Sequence, residues 1–354
     1  MQVVLLTGIK RTKVFTMEGR KRNRIIVILL ILIAISFGAY LYLTQSKESI
    51  KVVKEYPDST ALKLAVLPTI ECLPFYVASE YGIADSLGLK LKLFTFDSAM
   101  DADTAFINHR VDGVASEMMK LSIYQSRGDS VTAIMGGECS LSLISSKQSR
   151  ITTIKDLKDK IVATTRHSIV DYFIDKIIAL GSKDSLTINT PQINSFHVRK
   201  DMILQNQVDG GILPEPYSSI CISKGCKQIS KLSEIKDCSG MFALIINDSV
   251  KSCRESDIKK LIEVYNISVD FINNHMSKEK HNFLSLLSFP DGISDSIFVF
   301  PHFNHAVSPS TKSFTECSQW AQNKGFIKRI MKSDILTSEF IPQDSISHLS
   351  TYSK

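Results

Sequence analysis

The pattern that most restricts how this 354-residue chain can fold is a phrase used twice. A helix-forming stretch, then Val-Asp-Gly, then a short apolar run occurs at Val111-Asp112-Gly113 and again at Val208-Asp209-Gly210. Its surroundings alternate between the two secondary-structure periods. "LKLAVL" (62–67) is a strand ended by Pro68, and "PFYVASEYGIAD" carries helical spacing as far as Gly88. "LKLKLFTF" (89–96) then alternates as a second strand. "SAMDADTAFINHR" is a helix with Ser98 as N-cap, followed by the strand "GVAS" and the helix "EMMKLSIYQSR". The grammar restarts after "LSLISS" (141–146), with Thr153 capping a short helix, the strand "KIVATT" (160–165) and the helix "SIVDYFIDKIIALG". Strands alternating with helices predict an α/β fold with parallel sheets covered on both faces. The glycine of each Val-Asp-Gly is expected to form the left-handed turn that ends a helix. The same phrase at equivalent places predicts two similar lobes. After "MFALIIN" (241–247) the chain reads as almost wholly helical.

The amino-terminal part is different in kind. Ile25 to Leu43 is a run of nineteen uncharged, mostly aliphatic residues, about 28 Å long as a helix and enough to cross a bilayer core. Residues 1–24 hold seven basic side chains and one acid, which accounts for the whole net charge of +6. The positive-inside rule keeps that cluster cytoplasmic and sends the body outside. Ala34-Ile35-Ser36 and Ser36-Phe37-Gly38 offer small residues at signal-cleavage spacing, but the run is long for a signal peptide and favours an uncleaved anchor. No Cys closes the run as a lipid-attachment site, and Met17 is an alternative start. The expected organisation is therefore a basic segment (1–24), an anchor or signal helix (25–43), a linker (44–61), a first lobe (62–140), a second lobe (141–240), and a return to the first lobe with carboxy-terminal helices (241–354).

With the charge confined to that end, the body is neutral and has no basic stripe. The chain carries a single Trp, so nothing suggests nucleic-acid binding. Hydrophobic residues at 44% and charged residues at 22% are enough for a sizeable core. Seven Cys leave at least one unpaired; Cys221 with Cys226 and Cys238 with Cys253 are conceivable bridges, and free buried thiols are the plain alternative.

In open α/β sheets, ligands bind beyond the carboxyl ends of the strands, and in a two-lobed protein those ends face each other across a cleft. The rule selects Pro68, Thr69, Cys72, Leu73, Pro74 and Tyr76 after the first strand, Asp97 and Ser98 after the second, and Ser116 and Glu117 after the third. From the second half it selects Thr164, Thr165, Arg166, His167, Ser168, Glu215, Pro216 and Tyr217. Hydroxyls and helix N-termini with Arg166 suit an anion; Asp97, Glu117 and Glu215 suit an amine or heterocycle, so ligand charge stays open. Each residue also has a plainer role: Ser98 and Ser168 as N-caps, Glu117 against a helix dipole, Tyr76 in the core, Arg166 on the surface, His167 as a loop hydrogen-bonder. Gly-rich phosphate loops, H-E-x-x-H and G-x-S-x-G are absent from the sequence. His281, His302 and His305 have metal-compatible spacing, but Pro301 and Pro309 set the latter two in an irregular stretch, and no metal or cofactor is expected.

Four segments together resemble the type II periplasmic binding proteins of the sulfonate, taurine, nitrate and thiamine-precursor group. They are "LKLAVLPTIECLPFYVASEYGIAD", "VDGVAS", "VDGGILPEPY" and "SPSTKSFTECSQWAQNKGFI", and the likeness runs over about residues 62–340. The resemblance implies two lobes, a small-molecule ligand, monomeric behaviour and the permease of an ABC importer as partner. It implies no catalysis, and it places closure at crossings near 140–146 and 240–247. Enzymes similar to these binders, of the pyrimidine-synthase or menaquinone-pathway kind, are the rival expectation, and a membrane-tethered sensor is another.

Overall fold

A computed structural model describes residues 60–342 apart from 182–185, 291–292 and 294–295. The basic segment, the anchor or signal helix and nearly all of the linker lie outside the described residues. Among the described residues, no helix is long and apolar enough to cross a membrane.

Among the described residues, nine strands form two sheets: β1 (Leu62–Val66), β2 (Leu91–Thr95), β3 (Gly113–Glu117), β4 (Val131–Gly137), β5 (Leu141–Ser145), β6 (Val162–Ala163), β7 (Gly210–Pro214), β8 (Lys227–Lys231) and β9 (Phe242–Asn247). The helices are α1 (Leu73–Glu80), α2 (Ile83–Ser86), α3 (Ala99–Ile107), α4 (Met118–Arg127), α5 (Ile169–Leu180), α6 (Phe196–Leu204), α7 (Tyr217–Ser223), α8 (Asp248–Cys253), α9 (Glu255–Ser285) and α10 (Thr311–Asn323). The first sheet runs β2-β1-β3-β9-β4 and the second β6-β7-β5-β8. Neither is wholly parallel. β9 lies antiparallel between β3 and β4, and β5 lies antiparallel between β7 and β8. A short buried run such as Phe242–Asn247 is apolar on both faces, so its residues carry no sign of its direction.

The local signals that start helices act as the sequence predicts. Ser98 Oγ accepts the Asp101 N–H at the start of α3, and Ser168 Oγ accepts the Val170 N–H at the start of α5. The two Val-Asp-Gly phrases work differently from expectation. The left-handed residue after α3 is His109 (φ 52°) and after α6 it is Asn206 (φ 57°); both glycines instead begin strands. A Cβ on Gly113 would stand 2.4 Å from Ile246 Cδ1, and one on Gly210 would stand 2.7 Å from the Ile144 carbonyl oxygen. The glycines are there for close strand approach. Each aspartate pins the neighbouring parallel strand: Asp112 Oδ2 accepts the Lys63 N–H at 2.8 Å, and Asp209 Oδ2 accepts the Ile161 N–H at 2.9 Å. The repetition is therefore a repeated strand-pinning device.

The chain crosses between sheets through 138–140 and 232–241. The runs 140–146 and 240–247 singled out as crossings are mostly the strands β5 and β9 on either side. The two crossings touch, the Gly240 N–H donating to Glu138 Oε1 at 2.9 Å. α10 adds a third link. It packs on α4 beside the first sheet, while Trp320 lies edge-on to Tyr172 of α5 and donates to Asp175 Oδ2 at 2.8 Å. One apolar core accordingly continues across both lobes, from Ala65 and Val114 to Leu143, Phe173 and Ile212. A second core lies between the first sheet and the long helix α9, including Leu64, Phe75, Leu244 and Leu261. The segment after α9 is less helical than expected: 298–310 is irregular and buries Phe298, Phe300 and Phe303 against Phe283.

All seven cysteines are free thiols. Cys221 and Cys226 are hydrogen-bonded to each other, whereas Cys238 is buried and Cys253 exposed.

Candidate functional site

The carboxyl ends of β1, β3, β6 and β7 converge on a cavity of about 70 Å³ between the two sheets. That is less than half the roughly 150 Å³ that holds a benzene ring in an engineered cavity, so the enclosed part admits a compact group. The lobes are shut on each other around it. Ile169 N–H at the start of α5 donates to Glu117 Oε1 at 2.7 Å, Phe196 N–H donates to the Asp97 carbonyl at 3.1 Å, and Ile70 N–H donates to the Glu215 carbonyl at 3.0 Å.

Six residues chosen from the sequence line this cavity: Thr69, Cys72, Ser116 and Glu117 from the first lobe, Thr165 and Ser168 from the second. The others do not. Arg166 and His167 are exposed, and His167 sits edge-on to Phe326. The inward positions of that turn are taken by Thr165 and Ser168, because Ser168 Oγ donates to the Thr165 carbonyl while capping α5. Ser98 is a cap, and its neighbour Ala99 faces the cavity instead. Pro68, Leu73, Pro74, Thr164 and Pro216 are buried without lining it. Glu215 braces the crossing, its N–H donating to the Ser140 carbonyl and its Oε2 accepting the Ser219 N–H. Tyr76, Asp97 and Tyr217 lie outside the lining. Asp97 Oδ1 stands 3.7 Å from His197 Nε2, which is 3.2 Å from Tyr217 Oη, so these groups bridge the lobes. Tyr76 Oη is hydrogen-bonded to Thr95 Oγ1 at 3.1 Å.

Sequence reasoning passed over Glu71, Cys139, Asn194 and Phe196, all of which line the cavity. Glu71 is half-buried as a residue, but its carboxyl tip is enclosed: Oε1 accepts the Ser140 N–H at 2.7 Å and Oε2 has no hydrogen-bond partner. The spacing "TIEC" after a strand end was the available signal, since Glu71 stands between two residues that were chosen.

The electrostatics follow from burial. Glu117, 8% exposed, has its pKa raised to about 8 by loss of solvent, against a lowering pull from Lys120 and the Ile169 N–H. Burial also raises Glu71, with Glu215 adding a smaller push in the same direction. Near neutrality Glu117 is thus mostly a neutral carboxylic acid able to donate a hydrogen bond. The thiol of Cys72 is pushed up to about 12, first by burial and then by Glu71, and that of Cys139 lies well above its ordinary value. Neither is a thiolate at neutral pH. Among the described residues, no grouping of three or more His, Cys, Asp or Glu could hold a metal ion. His305, one of the histidines at metal-compatible spacing, pairs with Asp270 at 2.7 Å.

Two α/β lobes, linked by short crossings, thus meet on a cavity at their strand ends. The NMT1/THI5-like family profile matches residues 69–274. The chain belongs to that family. A search of curated sequences gives no match. Solved structures share the fold at low identity. The aliphatic sulphonate binding protein SsuA of Escherichia coli superposes with a TM-score of 0.63 at 12% identity, over 78% of this chain and 96% of that one. A ligand-binding component of an ABC-type import system from Staphylococcus aureus, solved with zinc bound, gives 0.62 at 11%, over 79% and 97%. The desulfurization enzyme DszB gives 0.59 at 11%, over 82% and 99%. The fold is that of the type II periplasmic binding proteins, as the sequence resemblance implies.

Proposed function

We propose that the chain is an extracytoplasmic substrate-binding protein that captures a small polar metabolite by closure of its two lobes and presents it to the membrane subunits of an ABC importer. One observation carries the reading: the cavity wall combines Thr69, Glu71, Ser116 and Glu117 of one lobe with Thr165, Ser168 and Asn194 of the other. Neither lobe alone has that set, so closure and binding are one event. The apolar run 25–43 supports a membrane tether for the body.

The enzyme DszB shares the fold, which keeps a catalytic reading in view. The nucleophiles such a reading would use here are Cys72 and Cys139, and burial holds both as thiols. The turnover arm of the test below separates the two readings.

The test is a thermal-shift screen of small metabolites on the full chain in mild detergent, because a compound bound only by the native state must raise Tm. Ala99→Trp, which puts an indole into the cavity from the first turn of α3, is expected to abolish the shift given by any hit. A hit unaffected by Ala99→Trp would refute this location, and turnover of the bound compound by purified protein would refute a binding role. Retention of the body in the membrane fraction after a high-salt wash is the expected result for a tether.

A further inference from the structure

One fully buried charged side chain in the second lobe has no counter-charge among the described residues. Arg199 is fully buried, at 0% exposure, on the stripe Phe196, Arg199, Ile203 that α6 turns inward. Of the five N–H donors of a guanidinium, its contacts use one: Nη1 donates to Thr165 Oγ1 at 2.9 Å. Nε and Nη2 are buried with no hydrogen-bond partner. Among the described residues no carboxylate pairs with it, and its guanidinium carbon lies 5.4 Å from the Phe196 ring centroid. Thr165 and Phe196, which it contacts, both line the cavity, and Arg199 stands behind them rather than in the lining itself.

The pattern of what is used and unused is informative. Nε–H and one Nη–H of a guanidinium lie parallel along one edge, and that edge is the fork that takes two oxygens of one anionic group. Here the single protein contact is made through Nη1 and leaves Nε and Nη2 together. A buried cation without a partner is costly to a fold, and burial alone pulls this guanidinium down to about 9. An anion that reached the free edge past Thr165 and Phe196 would offset that cost.

We propose that Arg199, oriented by Thr165, is an anion subsite just behind the second-lobe wall of the cavity formed by Thr165 and Phe196, and takes an oxyanion group of the ligand in the carboxylate, sulfonate or phosphate class. The proposal deepens the binding reading given above and rests on it. It also moves the cationic contact away from Arg166, which faces solvent.

The experiment uses the full chain in mild detergent with acetate, methanesulfonate and inorganic phosphate as probes and methylammonium as control, followed by thermal shift and titration. At least one oxyanion is expected to raise Tm, and methylammonium is not. Arg199→Met keeps the volume and removes the buried charge, so without ligand it should melt at or above the parent while losing about 10- to 100-fold in anion affinity. Arg199→Lys keeps the charge without the fork and should fall between the two. The proposal is overturned if Arg199→Met retains the anion-dependent rise, if no oxyanion raises the Tm of the parent, or if Arg199→Met is itself strongly destabilised, which would mark the guanidinium as structural. A neutral compound that protects both the parent and Arg199→Met, but not Ala99→Trp, would sink the anion subsite and leave the binding cleft standing.

Discussion

Glu117 makes the stability of the closed form depend on pH in a direction opposite to that of most carboxylates. It is buried at the end of β3, and its pKa of about 8 stands against 4.5 for an ordinary glutamate. Because the folded value is raised, the contribution is fully present below about pH 4.5 and is lost as pH rises through 8. Between pH 6 and pH 8 a single group with these two values loses about 2 kcal/mol of folding stability. At roughly 2 °C per kcal/mol for a domain of this size, that is about 4 °C in Tm. The perturbation is Glu117→Gln, whose amide oxygen can still accept the Ile169 N–H that Glu117 Oε1 accepts at 2.7 Å. The assay is thermal unfolding of parent and variant in matched buffers at pH 6 and pH 8. We predict that the parent falls by about 4 °C more than the variant over this interval. Parallel curves would refute the assignment of a raised pKa to Glu117.

Two further predictions address the pinned strands and the bridge across the lobes. Gly210→Ala should cost about 2–3 kcal/mol in urea unfolding, because its Cβ would meet the backbone oxygen of Ile144, whereas at Gly113 the nearest obstacle is the movable Cδ1 of Ile246 and the loss should be smaller; the reverse order would contradict the close-approach account. Asp97→Asn removes the charge facing His197, but both side chains are well exposed, so ligand affinity should fall less than about fivefold, and a hundredfold loss by titration would show that the bridge dominates closure.

Local rules made much of this fold readable. Ser98 and Ser168 announce their helices because an N-cap needs a short side-chain oxygen, and period-two alternation marks β2. What could not be read was direction and depth. The run at Phe242–Asn247 has the same apolar character whichever way it points, so its antiparallel insertion between β3 and β4 leaves no mark in the residues. Strand ends led to Thr69, Cys72, Ser116, Glu117, Thr165 and Ser168, which line the cavity. They also pointed to Arg166, since nearness to a strand end does not say which way a side chain turns, and the cap at Ser168 turns Arg166 outward. Arg199 went unseen for the opposite reason. It lies mid-helix in "FHVRKDMIL", a stretch without a clear apolar stripe, where an arginine ordinarily belongs to the solvent side.

The insertion of β9 has a consequence for the order in which the chain can assemble. The second sheet draws all its strands from one continuous stretch, residues 141–231, but the first cannot join β3 to β4 until residues 242–247 exist to lie between them. During synthesis the later-made lobe has its full set of strands before the earlier-made one does. The first lobe must wait for a partner more than a hundred residues downstream, a separation that slows pairing. Pulse-labelling hydrogen exchange on the refolding chain should accordingly find amides of β5 and β7 protected before those of β3 and β9; simultaneous protection would mean that the two lobes assemble as one unit. Under the export proposed above, a first lobe that cannot close early would keep its own strands unpaired while passage is under way.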